Sequence, residues 1–339
     1  MNWPLTLTVA GTSFAIVGIG IWPLILYLRR RSILDHPNAR SSHVTPTPKG
    51  AGLLLIPVLA LTWIILGAMG GPIPIRETMG IAGLALFLAI ISWADDLHHV
   101  PAVIRLATHV AAASIAVEMM PDNVLFFHGL LPAKSDALAT VFLLVWFINA
   151  FNFMDGIDGI SGVTAVAIGL GVVIVTTVAA PSAGLAPYAA ALVGSALGFL
   201  IWNRPPAKIF LGDVGSAPLG LLIGWLLLSL NLEGLWASAL ILPGYYMADA
   251  GITLLIRVLK GKRVWEAHKE HFFQQAVLSG MTHAQVSGII FVMGMVLVGG
   301  ACLATTKHAI AALAICVFLV LTLLYIFFRK GRLALKNTQ

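Results

Sequence analysis

The chain has 339 residues, of which 59% are hydrophobic and 10% are charged, and its mean hydropathy is +0.95. Soluble domains carry about 25% charged residues, so this composition excludes a water-soluble protein and predicts an all-α polytopic integral membrane protein. The net charge of +6 does not indicate nucleic-acid binding, because the basic residues follow the membrane pattern described below. Cys302 and Cys316 lie in apolar runs and are interpreted as buried apolar residues.

Eleven apolar segments are candidate transmembrane helices, since a bilayer-spanning helix needs about 20 apolar residues. They cover residues 5–28, 51–70, 79–93, 101–119, 137–151, 160–180, 185–202, 214–230, 235–259, 284–305 and 309–328. Several are short for a span, so their boundaries are predicted only to within a few residues. An odd number of spans places the two termini on opposite sides of the membrane.

The basic residues predict the orientation of these spans. With the N-terminus in the periplasm, only Arg76, Lys134 and Lys307 fall in outer segments, and every other Lys and Arg falls on the inner side. The positive-inside rule therefore predicts a periplasmic N-terminus and a cytoplasmic C-terminus. The chain is then one transmembrane domain over 1–339. Its cytoplasmic loops are predicted at 29–50, 94–100, 152–159, 203–213 and 260–283. Most acidic residues fall on the same face, so we expect a cytoplasmic active site.

The stretch 149–159, NAFNFMDGIDG, places four amides and carboxylates in three-residue steps at the end of an apolar run. They are Asn149, Asn152, Asp155 and Asp158. This spacing keeps side chains near one another on a helix face, and Gly156 and Gly159 would end the helix and let the backbone approach a ligand. A helix terminus with Asx turns needs one such group. We therefore expect four to hold something polar.

Asp95 and Asp96 form an adjacent acid pair in the second predicted loop. Their mutual repulsion and desolvation at a membrane boundary call for a cation, which is either a divalent metal or a basic side chain. Arg105, one to two turns into the next span, is a candidate partner. The alternative is a solvated helix end with structural acids.

Asp213 precedes a long apolar helix and is flanked by Gly212 and Gly215. An acid at this position could cap the helix or interact with its dipole. Since glycines let a backbone approach a ligand closely, we interpret Asp213 as an oxygen ligand for Mg²⁺.

Two further loops carry basic residues. The loop around Lys49 is either an ordinary basic inner loop or a wall that binds phosphates. The segment 260–274 has enough Lys and Arg for two phosphates, and His268 and His271 would share a face if it were helical. A zinc site is disfavoured, because no Cys or third ligand lies nearby. The alternative is a positive-inside loop with incidental His. Carboxylates, amides, His and basic residues at one membrane face together suit Mg²⁺-dependent chemistry on a phosphorylated, lipid-linked substrate.

The acid pair, the 149–159 stretch and the segment Phe210-Leu-Gly-Asp-Val-Gly-Ser216 occur in the order typical of one family. The chain resembles, over nearly its whole length, the polyprenyl-phosphate N-acetylhexosamine-1-phosphate transferases of glycosyltransferase family 4. Residues 267–274, AHKEHFFQ, resemble the branch that starts O-antigen or related polysaccharides. They depart from the contiguous triple His of phospho-N-acetylmuramoyl-pentapeptide transferase, which is the alternative. His98 and His99 replace a Lys that some members carry after the acid pair.

The resemblance implies an enzyme of the bacterial cytoplasmic membrane, a Mg²⁺-dependent phosphoglycosyltransferase in which Mn²⁺ could substitute. It would transfer a sugar 1-phosphate from a UDP-N-acetylhexosamine to undecaprenyl phosphate and release UMP, and such enzymes often form homodimers. Asn152 and Asp213 would hold the metal, and Phe210 and Asp158 would contact uracil. The other implied substrate contacts are Asn203 at the nucleotide, His268, Lys269 and His271 at the diphosphate or sugar, Asp155 between metal and uracil, and Asn149 at the helix end. From the residues alone, Lys49 in its phosphate-binding loop and Arg105 beside the acid pair are further candidate substrate-binding residues.

A phosphate monoester has a second pKa near ~6 and is largely dianionic at neutral pH. We therefore favour direct attack by the lipid phosphate on the β-phosphorus, with Asp95 and Asp96 positioning it or accepting a proton. A covalent Asp-phosphate intermediate is the rival mechanism. Two other classes of protein predict different patterns. A transporter of a phosphorylated metabolite would place polar groups near the midplane, whereas here they crowd the inner face and only Asp249 penetrates a span. A non-catalytic scaffold would not need the acids.

Overall fold

The computed structural model describes residues 2–37, 45–98, 100–121, 125–263 and 268–337, with side chains described as far as Gly331. It confirms an all-α polytopic membrane protein. The helices are α1 Trp3–Arg30, α2 Gly52–Ala68, α3 Ile75–His98, α4 Ala102–Glu118, α5 Ala133–Met154, α6 Ile160–Ala179, α7 Ala186–Asn203, α8 Asp213–Leu232, α9 Trp236–Ile241, α10 Gly244–Leu259, α11 Phe272–Leu278, α12 His283–Leu303 and α13 Ala309–Asn337. The strands β1 Leu34–Asp35 and β2 Thr47–Pro48 pair antiparallel.

Each of the eleven predicted segments corresponds to helical structure. Within the described residues, eight helices are long and apolar enough to cross a membrane, namely α1, α3, α5, α6, α7, α8, α12 and α13. The predicted span 235–259 is interrupted instead. It forms α9 and α10, which are separated at Leu242 and Pro243, because proline lacks the N–H that continues a helix. The total number of spans and their orientation stay predictions.

Helix α8 is the centre of the bundle and is buried along nearly its whole length. A helix that is apolar all round is expected in such a position. Its glycines allow close packing, since a Cβ added to Gly220 would lie 2.9 Å from the Cα of Ile148 on α5. At the start of α2, a Cβ on Gly52 would lie 2.3 Å from the backbone nitrogen of Gly215. The outer helices α1 and α13 expose many large apolar side chains, as lipid-facing helices do.

Successive helices bring their ends to one face of the bundle. Gly159, before α6, donates its N–H to Asn203 at the end of α7 (2.9 Å). Asp96, in the last turn of α3, accepts the N–H of Val214 in the first turn of α8 (3.0 Å). The C-terminal ends of α3, α5 and α7 therefore meet the N-terminal ends of α6 and α8, and we call this end of the bundle the polar face.

Candidate active site

The acid pair lies on the last turn of α3, which runs to His98. The prediction that residues 94–100 form a loop is therefore wrong for the pair itself, and His99 falls outside the described residues. Asp95 Oδ1 accepts the N–H of Val100 (2.7 Å), and Asp95 Oδ2 accepts from Arg105 Nη1 (2.5 Å). Arg105 is thus a cationic partner of the pair, as its position in the sequence indicated.

Asp96 closes the N-terminus of α8. Its carboxylate accepts the N–H of Asp213 (3.3 Å) and of Val214 (3.0 Å), and its Oδ1 lies 2.5 Å from Lys49 Nζ. The first N–H groups of a helix lack partners within the helix and favour an anion, which Asp96 supplies. The alternative that Asp213 caps its own helix is therefore wrong. Gly212 is the N-cap residue, and Asp213 is the first residue of α8.

Two glycine-rich segments place Lys49 and Asp213 side by side. Phe210 donates its N–H to Pro48 O (2.8 Å) and accepts the N–H of Gly50 (3.0 Å). Gly212 has φ +77, a left-handed conformation that favours glycine, and a Cβ there would lie 2.9 Å from Asp96 Oδ2. The chain can therefore turn into α8 directly against the acid pair.

The Asp213 carboxylate lies between two cations. Its Oδ1 is 3.8 Å from Lys49 Nζ, and its Oδ2 is 3.4 Å from Arg105 Nη1. Burial alone would lower the pKa of Lys49, but the negative charges of Asp213 and Asp96 raise it above its ordinary 10.5. Lys49 therefore keeps its positive charge in the site.

The 149–159 stretch is only partly helical, because α5 ends at Met154. Asn149 and Asn152 lie on α5, whereas Asp155 follows its end and Asp158 lies beyond it, so the expectation of one shared helix face is wrong for Asp158. Asn149 donates to Val145 O (2.7 Å) and faces His109 (3.3 Å), which agrees with a bracing role at the helix end.

Asn152 and Asp155 face the start of α8. The Asn152 Oδ1 accepts a hydrogen bond from the hydroxyl of Ser216. Burial, together with the charges of Asp213 and Asp96, raises the pKa of Asp155 from 3.8 to about 7, although Ser161 and Lys49 oppose this shift. The negative charges of Asp213 and Asp96 therefore act on Asp155 as well.

Asp158 and Asn203 join three elements at the edge of the site. Asp158 Oδ2 accepts the N–H of Ala207 (3.1 Å) and lies 3.3 Å from His283 Nδ1 on α12. Asn203 Nδ2 donates to Ile209 O (2.9 Å). If Asp158 and Asn203 contact a nucleotide, they do so while keeping these hydrogen bonds within the protein. His283 was not predicted, because a histidine at the first residue of an apolar span carries no local signal of its partner.

His268 and His271 lie in a non-helical segment before α11, so the helical arrangement in which they would share a face does not form. Their rings nevertheless stack, with centroids 4.8 Å apart. Lys269 lies between them, and its carbonyl accepts from Gln275 Nε2 (2.5 Å). A Cβ on Gly156 would lie 3.0 Å from Phe273 Cζ, so this segment packs directly on the 149–159 stretch.

The donor set fits a hard divalent cation. The described residues contain no group of three or more His, Cys, Asp or Glu side chains arranged as metal ligands. However, Mg²⁺ typically takes one or two protein carboxylates and completes its shell with phosphates and water. The carboxylates of Asp95, Asp96 and Asp213 face the two cations of Lys49 and Arg105 and exceed them by one negative charge. Asp155, whose pKa is raised to about 7, adds a second negative charge when it ionises, and a Mg²⁺ or Mn²⁺ ion would neutralise both.

Comparison with known proteins gave consistent matches. The sequence profile described as glycosyl transferase family 4 matches residues 78–231. The chain is 32% identical to a phospho-N-acetylmuramoyl-pentapeptide-transferase of Trichormus variabilis, with 86% of this chain and 84% of that protein covered. It is 28% identical to the protein of that name from Gloeothece citriformis (87% and 86% covered). It is 27% identical to a decaprenyl-phosphate N-acetylglucosaminephosphotransferase of Mycobacterium tuberculosis (82% and 78% covered).

Proposed function

This chain belongs to glycosyl transferase family 4, and we propose that it transfers an N-acetylhexosamine 1-phosphate from a UDP-sugar to undecaprenyl phosphate at the cytoplasmic membrane of a bacterium. The oxygen of the lipid phosphate forms a bond to the β-phosphorus, the bond between that phosphorus and the bridging oxygen breaks, and UMP leaves. The product is a lipid-linked diphosphate sugar, the first intermediate of an O-antigen or another envelope polysaccharide.

The observation that carries the proposal is the meeting of four carboxylates with Lys49 and Arg105 at the polar face. Phosphoryl transfer needs neutralised phosphate oxygens and an aligned nucleophile, and little covalent help from the protein. Asp213 and Asn152 would hold Mg²⁺ on the diphosphate, where the ion would neutralise the charge that develops on its oxygens. Asp155, whose pKa is raised to about 7, supplies a further oxygen beside them.

Lys49 and Arg105 are suited to bind the phosphates. Each cation contacts Asp213, at 3.8 and 3.4 Å respectively, while its shorter ion pair is with the acid pair. A substrate phosphate near Asp213 can therefore be bound by both cations without loss of the ion pairs that hold them. Arg105 offers several donors in a fixed plane, which suits phosphate recognition.

The geometry of the acid pair supports direct attack by the lipid phosphate. Asp96 binds two backbone N–H groups and Lys49, and Asp95 binds Val100 N–H and Arg105. Carboxylates held in this way are poor nucleophiles, because attack would require them to leave these partners. A dianionic lipid phosphate needs no strong base, so we assign the acid pair a positioning role.

An apolar cavity of about 750 Å³ supports a lipid acceptor. It lies between α5, α8, α9 and α10, and extends from the end of the bundle opposite the polar face to Phe147 and Met247. These two residues lie within two positions of Asn149 and Asp249. A long isoprenoid chain could occupy such a cavity while its phosphate lies at the polar face.

Two candidate functions differ in the sugar that is transferred from the UDP donor. The relatives named phospho-N-acetylmuramoyl-pentapeptide-transferase favour UDP-N-acetylmuramoyl-pentapeptide as the sugar donor, whereas the separated His268 and His271 favour a simpler UDP-N-acetylhexosamine. Purified enzyme with undecaprenyl phosphate and a panel of UDP-sugars, including UDP-N-acetylglucosamine, UDP-N-acetylgalactosamine and UDP-N-acetylmuramoyl-pentapeptide, separates them by the product formed.

The test of the reaction is Mg²⁺-dependent exchange of radiolabelled UMP with the UDP-sugar in the presence of undecaprenyl phosphate. We expect Asp213→Ala to lose nearly all exchange, because it removes the carboxylate between the two cations. Glu233→Ala, at an exposed acid on the opposite end of α8, is the matched control and is expected to keep full activity. Absence of exchange by the wild-type enzyme would overturn the proposal, and full activity of Asp213→Ala would refute the metal role. A phosphorylated enzyme trapped with UDP-sugar alone would establish the covalent route instead.

A further inference from the structure

Asp249 is a fully buried carboxylate on α10, and the sequence offered no role for it. Five donors surround it. Its Oδ1 accepts from His271 Nδ1 (3.1 Å), the N–H of Phe272 (3.0 Å) and the hydroxyl of Thr253 (3.3 Å). Its Oδ2 accepts from the hydroxyl of Tyr245 and the N–H of Phe273, both at 3.1 Å. Both oxygens of this buried carboxylate are therefore fully supplied with hydrogen-bond donors.

Three of these five donors belong to one short segment, residues 271–273. The carboxylate therefore closes the N-terminus of α11 and binds the imidazole of His271 at the same time. The side chain of His271 is only 3% exposed, so its orientation is set by this contact and by ring stacking on its neighbours. The N–H on Nδ1 is the donor to Asp249, because a carboxylate can only accept. Nε2 is left as the second functional atom of the ring.

The second histidine is positioned through the first. The His268 ring stacks on His271 at 4.8 Å, and its Nδ1 accepts the N–H of Glu270 (3.2 Å). In its neutral form His268 must therefore carry its proton on Nε2. Burial, together with His271 and Arg257, lowers the pKa of His268 to about 4, so the neutral form prevails at neutral pH.

The same face of α10 binds the rest of the segment. Arg257, two turns after Asp249 on that face, is buried, and it pairs with Glu270 (2.6 Å) and donates to Arg263 O (2.7 Å). Beyond His271, Phe273 and Gln274 pack against Gly156, between Asp155 and Asp158. Through Asp249, α10 therefore fixes the two histidines relative to the carboxylate site.

We infer that Asp249 is a positioning residue for the transferase. It holds His271 and, through the stacked rings, presents the Nε2–H of His268 as a hydrogen-bond donor to the diphosphate or sugar of the substrate. The inference rests on the proposed function, since it assigns the donor to that substrate. Asp249 itself touches no substrate and acts only through the histidine pair.

The test compares Asp249→Asn with Tyr245→Phe in the UMP-exchange and transfer assays. Asparagine keeps the shape of the side chain but cannot accept from all five donors, whereas Tyr245→Phe removes one donor to the same carboxylate and leaves His271 in place. We expect Asp249→Asn to lower kcat about 10- to 100-fold, by analogy with the loss when a carboxylate that orients a metal-bound histidine is removed. KM for the UDP-sugar should change less than about threefold. Tyr245→Phe should keep kcat within about threefold of wild type.

A double-mutant cycle separates positioning from a merely structural role. His271→Phe keeps a stacked ring and removes the imidazole nitrogens, so in its presence Asp249→Asn should cause little further loss of kcat. Additive losses, or wild-type kcat in Asp249→Asn, would overturn the inference. If Asp249→Asn does not yield folded protein, Asp249→Glu replaces it in the same double-mutant cycle with His271→Phe. Additive losses of kcat would again overturn the inference. Exchange activity of the wild-type enzyme is measured first, so failure of the proposed function is distinguished from failure of this inference.

Discussion

Asp155→Asn tests the charge balance of the site without reference to catalysis. The carboxylate is half-buried near Asp213 and Asp96, and desolvation together with their negative charges raises its pKa from 3.8 to about 7. Asparagine has nearly the same shape and carries no charge. The substitution therefore removes the electrostatic cost of a fourth carboxylate and leaves the packing of the helix end almost unchanged.

The size and sign of the effect follow from the pKa. Between about pH 4 and pH 7 the folded protein binds more protons at Asp155 than the unfolded chain does, so stability falls as the pH rises through this window. Above pH 7 the full cost is present. A shift of about three pKa units corresponds to at most ~4 kcal/mol, at 1.36 kcal/mol per unit, and to less where solvent screens the partly exposed carboxylate.

The assay is thermal unfolding of the detergent-solubilised protein from pH 5 to pH 8, with EDTA present to remove divalent cations. Other groups titrate in this range, so the informative quantity is the difference in Tm between variant and wild type at each pH. We expect the Tm of Asp155→Asn to exceed that of wild type by the smallest margin near pH 5, with the margin growing up to about pH 7 and then staying constant to pH 8. Glu118→Gln, at an exposed acid on α4, is the control and should give a constant difference. A constant difference for Asp155→Asn as well would refute the charge-balance reasoning.

Two further predictions concern packing and the nucleotide side of the site. Gly52→Ala should lower the free energy of unfolding by about 1–3 kcal/mol or more, because its Cβ would lie 2.3 Å from the backbone of Gly215. Gly83→Ala is the control, because a Cβ there would have no atom within 4 Å, and it should leave the free energy of unfolding nearly unchanged. Thermal unfolding in detergent compares the two variants. His283→Ala removes a side chain 3.3 Å from the Asp158 carboxylate, so Asp158 is no longer held in position. In steady-state assays it should raise KM for the UDP-sugar several-fold, with a smaller change in kcat. An unchanged KM would show that Asp158 does not contribute to nucleotide binding.

Much of the fold could be predicted because helices in lipid must be long and apolar, and this signal is local. All eleven apolar segments are indeed helical. The exact helix ends were less predictable. The last turn of α3 depends on tertiary contacts, and proline breaks the span at Pro243 but lies inside continuous helices at Pro57 and Pro218. The sequence predicted Asp95 and Asp96 in a loop because acidic residues are rare in apolar helices. In the structure both lie on α3, where ion pairs with Arg105 and Lys49 stabilise them.

The candidate site was predictable as a set of residues but not as a network. The predicted topology placed the acid pair, the 149–159 stretch and Asp213 on one face, and the structure brings them together. The partners of Asp249 and Asp158 were not predictable, because His271 and His283 lie 22 and 125 residues away along the chain. An isolated acid in an apolar span reveals that it needs a partner, and the sequence does not specify which one.

The joining of Asp96 to the start of α8 changes how substitutions in the acid pair should be interpreted. Asp96 holds the N–H groups of Asp213 and Val214 and the ammonium of Lys49 at once. Removing it therefore moves the Asp213 carboxylate and releases a phosphate-binding cation, even if Asp96 never exchanges a proton with substrate. Loss of activity in Asp96→Asn cannot identify a catalytic base. Only a change in the pH dependence of the remaining activity could do so, because a displaced Asp213 lowers the rate at every pH whereas a missing base removes one ionisation from the profile.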